Sequence, residues 1–198
     1  MVTASRPLRA DAARNRDKLL AAAAELFADR GLDVPLEHIA RKAGVSIGTL
    51  YKHFPTRDDF VSSIFPERLA ALEEIGAKAL ADPDPWRAFT TYLDDLYALQ
   101  AQDRGLNDVL ARDLPNAPEV VSACHRGAGH AQALITRAAD AGALRADYSI
   151  ADLATLTRAM AQVIRDVPGE WRRFLSIYVE GLRGGPASEP LQGPSAYP

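Results

Sequence analysis

The sequence has too few cysteines and too short apolar runs for a disulfide-stabilised or membrane-spanning protein. Cys124 is the only cysteine among 198 residues, so no disulfide can form within the chain, as is typical of a reducing compartment. No apolar run approaches the roughly 20 residues that cross a bilayer. The polar first ten residues, with Arg6 and Arg9, lack the apolar stretch of a secretion signal. We therefore expect a cytoplasmic protein with no membrane segment.

Motifs of common enzymes and metal sites are also missing. The sequence contains no G-x-S-x-G, Walker loop or dinucleotide fingerprint, and the short Gly127-Ala128-Gly129 run follows no strand pattern. It contains neither HExxH nor CxxC. His125 and His130 are five positions apart, so they point away from each other on a helix. We therefore expect no catalytic residues, no metal site and no cofactor.

Strand patterns are nearly absent, because the sequence has no sustained period-two run and no Asn-Gly or Asp-Gly turn. Alanine is abundant and apolar residues recur every three or four positions, which indicates amphipathic helices. The sequence predicts an all-α protein of about nine helices. They are expected near 11–30, 35–43, 46–53, from the Thr56/Asp59 capping box onward, 86–102, 104–113, 118–141, 150–166 and 170–183. Pro66 is expected to kink or break the fourth helix.

The net charge of −3 is unevenly distributed along the chain. Residues 1–60 carry ten basic and eight acidic side chains, whereas the rest of the chain carries thirteen and eighteen. A mildly basic segment followed by an acidic body is typical of a DNA-binding head on a body that does not bind DNA.

The most informative segment is residues 36–54, LEHIARKAGVSIGTLYKHF. It predicts a short helix, a turn at Gly44 and a second short helix, both tied to the first helix by apolar positions. In a helix-turn-helix, the second helix enters the major groove. Lys52 and His53 can contact phosphates, whereas Ile47 has no hydrogen-bonding group and can make only apolar contacts such as that with a thymine methyl.

The run from Asn15 to Phe60 resembles the TetR family of transcriptional regulators, through LLAAAAELFADRG and IARKAGVSIGTLYKHFPTRDDF. The resemblance implies a homodimer that binds a palindromic operator, with a C-terminal domain whose small-molecule ligand changes the separation of the two recognition helices. Ile47 stands where many relatives carry a polar or basic residue. Carried over by position, the DNA contacts would be Val45, Ser46, Ile47, Gly48, Thr49, Tyr51, Lys52, His53 and Arg57.

The expected domains are a flexible arm at 1–10, the helix-turn-helix DNA-binding domain at 11–57, a helical regulatory and dimerisation domain at 58–183, and a disordered tail at 184–198. In the regulatory domain, aromatic and polar positions mark either ordinary core or the wall of a ligand pocket. The candidate pocket residues are Phe89, Tyr92, Tyr97, His125 and Met160. The last two helices have apolar residues enough for a second buried surface. The candidate dimer-interface residues are Leu153, Leu156, Phe174, Ile177 and Tyr178.

These patterns favour a sequence-specific DNA-binding repressor that is released by a small-molecule effector not yet identified. One alternative is a helical protein-interaction module whose helix-turn-helix is vestigial. Another is an enzyme built on the second domain, for which turnover that depends on Cys124 or a bound metal would be the evidence.

Overall fold

The computed structural model describes residues 5–184, with side chains from residue 10 onward. These residues form nine α-helices and no β-strand, which confirms the all-α prediction. The helices are α1 (Ser5–Arg30), α2 (Leu36–Ala43), α3 (Ile47–His53), α4 (Arg57–Leu80), α5 (Pro85–Gln102), α6 (Arg104–Ala111), α7 (Pro118–Asp140), α8 (Ile150–Asp166) and α9 (Trp171–Glu180).

Internal contacts divide the described residues into two compact units. Unit 1 comprises the residues up to Ala71 together with Leu99–His125, and unit 2 comprises Leu72–Ala98 together with the residues from Arg126 onward. Helices α4, α5 and α7 each contribute residues to both units. Each unit consists of two separate stretches of sequence, so neither corresponds to a single division of the chain. The domain boundary predicted between residues 57 and 58 therefore stays a prediction.

Two helix boundaries differ by three residues or more from the sequence prediction. Helix α1 begins at Ser5, so the described part of the segment predicted as a flexible arm is helical. Helix α9 ends at Glu180, because the following backbone pairs with another segment: Arg145 N–H donates to Leu182 O at 3.0 Å. Apart from Gly184, the predicted disordered tail lies outside the described residues.

The sequence predicts a kink or a break at Pro66, and no break occurs, because α4 runs through this residue without interruption. A proline inside a helix removes one backbone hydrogen bond and costs about 3 kcal/mol. Phe65 and Leu69, on either side of Pro66, are fully buried. Burial of two such side chains contributes about 3–6 kcal/mol, which is enough to keep the helix intact.

The core of unit 1 is built on phenylalanine rings from α1, α4 and the end of α3. Leu19, Ala23 and Phe27 recur at helical spacing along α1 and have no exposed surface. The Phe27 ring lies 6.3 Å from the rings of Phe60 and Phe65. Phe54 and Phe60 stack with their centroids 4.0 Å apart. Aromatic pairs at such separations stabilise a core beyond the area they bury.

A buried carboxylate joins α6 to the connection between α1 and α2. Asp108 is 4% exposed and accepts a 2.8 Å hydrogen bond from the backbone N–H of Leu32. Arg112 donates to Asp108 at 3.2 Å and to both carboxylate oxygens of Asp33 at 2.9 and 2.6 Å. The hydrogen bonds to Asp33 raise the pKa of Arg112. We call Asp108, Arg112, the Leu32 N–H and the Asp33 carboxylate the α6 clamp.

The core of unit 2 takes its aromatic side chains from α5, from α9 and from the connection between α7 and α8. Phe89 packs edge-on against Tyr148, with ring centroids 5.8 Å apart. Ser149 and Asp152 form a capping box that fixes the start of α8, because the Ser149 N–H donates to Asp152 at 2.8 Å. Trp171 and Leu175 bury one face of α9.

The α6 clamp leaves no room for a side chain at Gly31, unlike at the other glycines with positive φ. Gly31 has φ +81°, and a Cβ placed there would lie 2.5 Å from Asp108 Oδ2. Gly44 has φ +69°, but a Cβ there would meet nothing within 4 Å.

We expect Gly44→Ala to lower the free energy of unfolding by about 1–2 kcal/mol, through backbone conformation alone. Gly31→Ala should cost about 1–3 kcal/mol more, because the buried hydrogen bond is displaced. Equal losses in urea unfolding would show that Asp108 moves aside freely.

Candidate nucleic-acid interface

A tight turn sets the direction of α3. Gly44 ends α2 in the left-handed conformation, and its N–H donates to Arg41 O at 3.2 Å. The next N–H, from Val45, donates to Ala40 O at 3.0 Å. This pattern satisfies carbonyls at the end of α2. The chain therefore leaves α2 in one defined direction, as the glycine in the sequence predicts.

Ser46 caps the start of α3. Its Oγ accepts the N–H of Thr49 at 3.1 Å, and the two hydroxyl oxygens lie 2.9 Å apart in a hydrogen bond. A seven-residue helix cannot stand alone in water, so its cap and its packing must hold it. Leu50 and Phe54 supply the packing, with 0% and 1% of their surface exposed.

The start of α4 is fixed in the same local way. The N–H of Thr56 donates to Asp59 Oδ2 at 2.7 Å, and the N–H of Asp59 donates back to Thr56 Oγ1 at 3.3 Å. Both halves of the predicted capping box are present. Arg57 lies half-buried in this first turn, and its Nη1 atom has no hydrogen-bond partner within the described residues.

The residues predicted to contact DNA lie on α3, in the turn before it and at the start of α4. None of the nine predicted residues is fully buried. Ile47 is 38% exposed and Tyr51 is 46% exposed. The other exposed members of the set are Ser46, Gly48 and Lys52, and the half-buried members are Val45, Thr49, His53 and Arg57. The structure therefore brings all nine together in one stretch of unit 1, and their contacts with DNA remain predictions.

Arg16 supports this surface in a way that the motif does not indicate. Its guanidinium lies 5.2 Å from the centroid of the Phe54 ring, at the end of α3. It also donates to Ser63 Oγ on α4 at 3.4 Å. A cation over an aromatic face contributes about 0.5–1 kcal/mol at an exposed site. The partners of Arg16 are 38 and 47 positions away, which is too far for a local pattern to predict.

The predicted pocket residues divide between the two units. Phe89, Tyr92, Tyr97 and Met160 are buried in unit 2, whereas His125 is exposed and belongs to unit 1. His125 therefore differs from the other four in being exposed, and the assignment of all five to a pocket stays a prediction. Burial raises the pKa of Tyr92 to about 12 and raises that of Tyr97 as well. Both phenols are neutral at physiological pH.

Two hydroxyl residues that the sequence analysis did not select lie with these phenols. The Tyr97 hydroxyl is 3.4 Å from Thr157 Oγ1. The Tyr148 hydroxyl is buried and makes no hydrogen bond of normal geometry within the described residues. Its electrostatic interaction with Tyr178 raises its pKa. Burial is the main cause of that increase. Tyr148 is in a connection between helices, so helical periodicity gave no signal for it.

Two of the predicted dimer-interface residues are already buried within a single chain, and the interface stays a prediction. Leu153 and Leu156 are 5% and 3% exposed within a single chain, so their surface is already covered. Phe174 and Ile177, in contrast, are 42% and 66% exposed on α9. Tyr178 is half-buried. Periodicity marks one face of α8 as buried but does not show that the chain itself covers that face.

The described residues show neither a membrane-spanning helix nor a cluster of metal-binding side chains. Between residues 5 and 184, no helix is long and apolar enough to cross a membrane. In the same range, no group of three or more His, Cys, Asp or Glu side chains is placed to hold a metal ion.

Comparisons with known proteins give independent information on both parts of the chain. Residues 19–64 match the family described as bacterial regulatory proteins, tetR family. Residues 84–184 match the C-terminal domain described as transcriptional regulator SbtR-like. The chain is 31% identical over 100 residues to the HTH-type transcriptional regulator TtgW of Pseudomonas putida, covering 50% of this chain and 75% of that protein. It is 26% identical over 92 residues to YvdT of Bacillus subtilis, covering 46% of this chain and only 47% of that protein.

Solved structures match over more of the chain. The TetR transcriptional regulator SCO0520 from Streptomyces coelicolor is 30% identical, with a TM-score of 0.52, covering 85% of this chain and 98% of that one. The regulator PfmR from Thermus thermophilus shares the fold at 22% identity, with a TM-score of 0.62, covering 87% and 98% of the two chains. The two family matches and the helix-turn-helix geometry agree. The protein belongs to the TetR family of transcriptional regulators.

Proposed function

We propose that the protein is a repressor that binds a palindromic operator as a homodimer and releases it when a small molecule binds unit 2. One observation carries the proposal: α3 is held by its buried face and its cap, and it presents Ile47, Tyr51 and Lys52 outward. This is the arrangement of a recognition helix, which places its side chains in the major groove.

The side chains of this surface divide the work of binding by their chemistry. Lys52, exposed near the end of α3, can neutralise a phosphate, and Arg57 in the next helix can do the same. The Tyr51 ring can contact base edges while its hydroxyl donates to a phosphate. Phosphate contacts position the protein and make its affinity depend steeply on salt. Two copies would contact half-sites roughly 34–36 Å apart.

The exposed apolar side chains of α9 support a homodimer. Phe174 and Ile177 are three positions apart and therefore lie on one side of the helix. Their exposure to water is unfavourable in a lone chain and is removed when a second copy covers them. A two-fold interface pairs the same patch on both subunits. The dimer interface that we propose is therefore centred on α9, with Leu153 and Leu156 left in the core of unit 2.

The buried phenols of unit 2 support the effector site. Tyr92, Tyr97 and Tyr148 combine apolar rings with hydroxyl groups, the mixture that lines most small-molecule sites. The pKa values of all three are raised, so they offer neutral hydrogen-bonding groups. An effector would release DNA only through a higher affinity for the conformation that does not fit the operator.

The first test is selection of bound duplexes from a random pool, with the wild type beside Tyr51→Ala. We expect an enriched palindrome for the wild type, and loss of that enrichment in the variant, because Tyr51 is exposed at the centre of the surface. A well-folded wild type that enriches nothing at low salt would sink the repressor proposal. That result would instead favour the helical protein-interaction module.

Lys52→Ala tests the role of the phosphate contact. Loss of one phosphate contact should weaken binding to specific and non-specific DNA alike, and should reduce the salt slope by about one. The matched control is Lys78→Ala, which removes an exposed lysine of unit 2 that pairs with Asp95 at 3.1 Å. The control should bind as the wild type does. If Lys52→Ala changed base preference at unaltered non-specific affinity, Lys52 would have to contact a base.

Ile177→Glu tests the proposed dimer interface. A carboxylate at this position would be buried without a partner when two α9 helices meet, so the dimer should dissociate at least 10-fold more readily. Ser176→Glu is the control, since Ser176 is its exposed neighbour on α9. Sedimentation velocity would compare the two variants. A dimer that is equally stable in both would place the interface elsewhere.

A further inference from the structure

The DNA-facing surface of α3 is unusually apolar at its start. Ile47 and Tyr51 are two of the five large apolar or aromatic side chains that are exposed in the described part of the chain. They are four positions apart and therefore lie side by side on the helix. The solvent-facing side of a helix is ordinarily polar. The exposed Ile47 side chain therefore indicates a surface that contacts another molecule.

The polar side chains next to Ile47 are already engaged within the protein. Ser46 Oγ accepts the N–H of Thr49 and is hydrogen-bonded to the Thr49 hydroxyl. Thr49 is half-buried as well. A base contact from either hydroxyl would have to share or replace this bond, whereas the side chain of Ile47 needs no rearrangement. Gly48, between Ile47 and Thr49 in the sequence, leaves open space, because a Cβ there would meet only Ser46 Oγ, at 4.0 Å.

From these observations we infer that Ile47, with Tyr51 beside it, recognises thymine through its 5-methyl group and is the main specificity-determining residue of α3. The inference rests on the proposed DNA-binding function. Thymine is the only base that presents a methyl group in the major groove. Against another base, Ile47 would cover a donor or acceptor without replacing its lost water contacts, which is unfavourable. Each half-site should therefore contain a T·A pair at one fixed position.

Deoxyuridine tests this directly, because it removes the methyl group and keeps every hydrogen-bonding atom of thymine. The selected palindrome is synthesised with each thymine in turn replaced symmetrically in both half-sites. At one position, the wild-type affinity should fall about 4-fold for each methyl lost, and about 15-fold for the pair. Substitution at other positions should have much smaller effects.

Ile47→Ala and Lys52→Ala serve as the paired variants. Ile47→Ala should bind the thymine and deoxyuridine duplexes with nearly equal affinity, because the side chain that contacts the methyl is gone. Lys52→Ala should lose affinity for both and keep the wild-type ratio. If the critical T·A pair is replaced by C·G, 5-methylcytosine should bind the wild type more tightly than cytosine, and Ile47→Ala should not distinguish them.

Three results would overturn the inference, and they differ in what else they imply. The wild type could bind its palindrome with an affinity that no deoxyuridine substitution changes. That result would refute the inference and leave the repressor proposal intact. Equal thymine-to-deoxyuridine ratios in wild type and Ile47→Ala would assign the methyl to another residue or to DNA shape. A wild type that selects no duplex would refute both the inference and the proposed function.

Discussion

The buried carboxylate of Asp108 is the interaction on which the arrangement of unit 1 depends. A charged group at 4% exposure is tolerable only when it is paired and hydrogen-bonded. Asp108 meets this condition by accepting from the Leu32 N–H and from Arg112, which in turn holds Asp33. The same oxygen excludes a side chain at Gly31. The connection from α1 to α2 is therefore fixed from α6, a helix 76 positions away.

That fixed connection determines where the recognition helix can be. Helix α2 has eight residues and α3 has seven, so neither has the length to be stable alone. Their positions follow from the clamp at the start of α2, the Gly44 turn between them, and the stacked Phe54 and Phe60 rings at the end of α3. Because Asp108 accepts the Leu32 N–H, a shift of α6 would act first on the connection that leads into α2.

The local features of this region could be predicted from the sequence, because each one depends on residues three or four positions apart. The Gly44 turn and the Thr56–Asp59 capping box are of this kind. Features that depend on distant partners could not be predicted. Periodicity identifies the buried side of α8, but Leu153 and Leu156 have the same pattern whether their own unit or a second copy covers them. The α6 clamp corresponds to no local sequence pattern, because it joins residues that are far apart in the sequence.

The limit of local patterns also explains why Pro66 misled the prediction. A proline signals a break through its own backbone, whereas the helix persists because Phe65 and Leu69 are both buried. The same α4 begins beside the recognition helix and continues into unit 2 as a single helix. The burial of Phe65 and Leu69 offsets the cost of the proline. It therefore keeps the helix that begins next to α3 continuous past residue 71, where unit 2 begins.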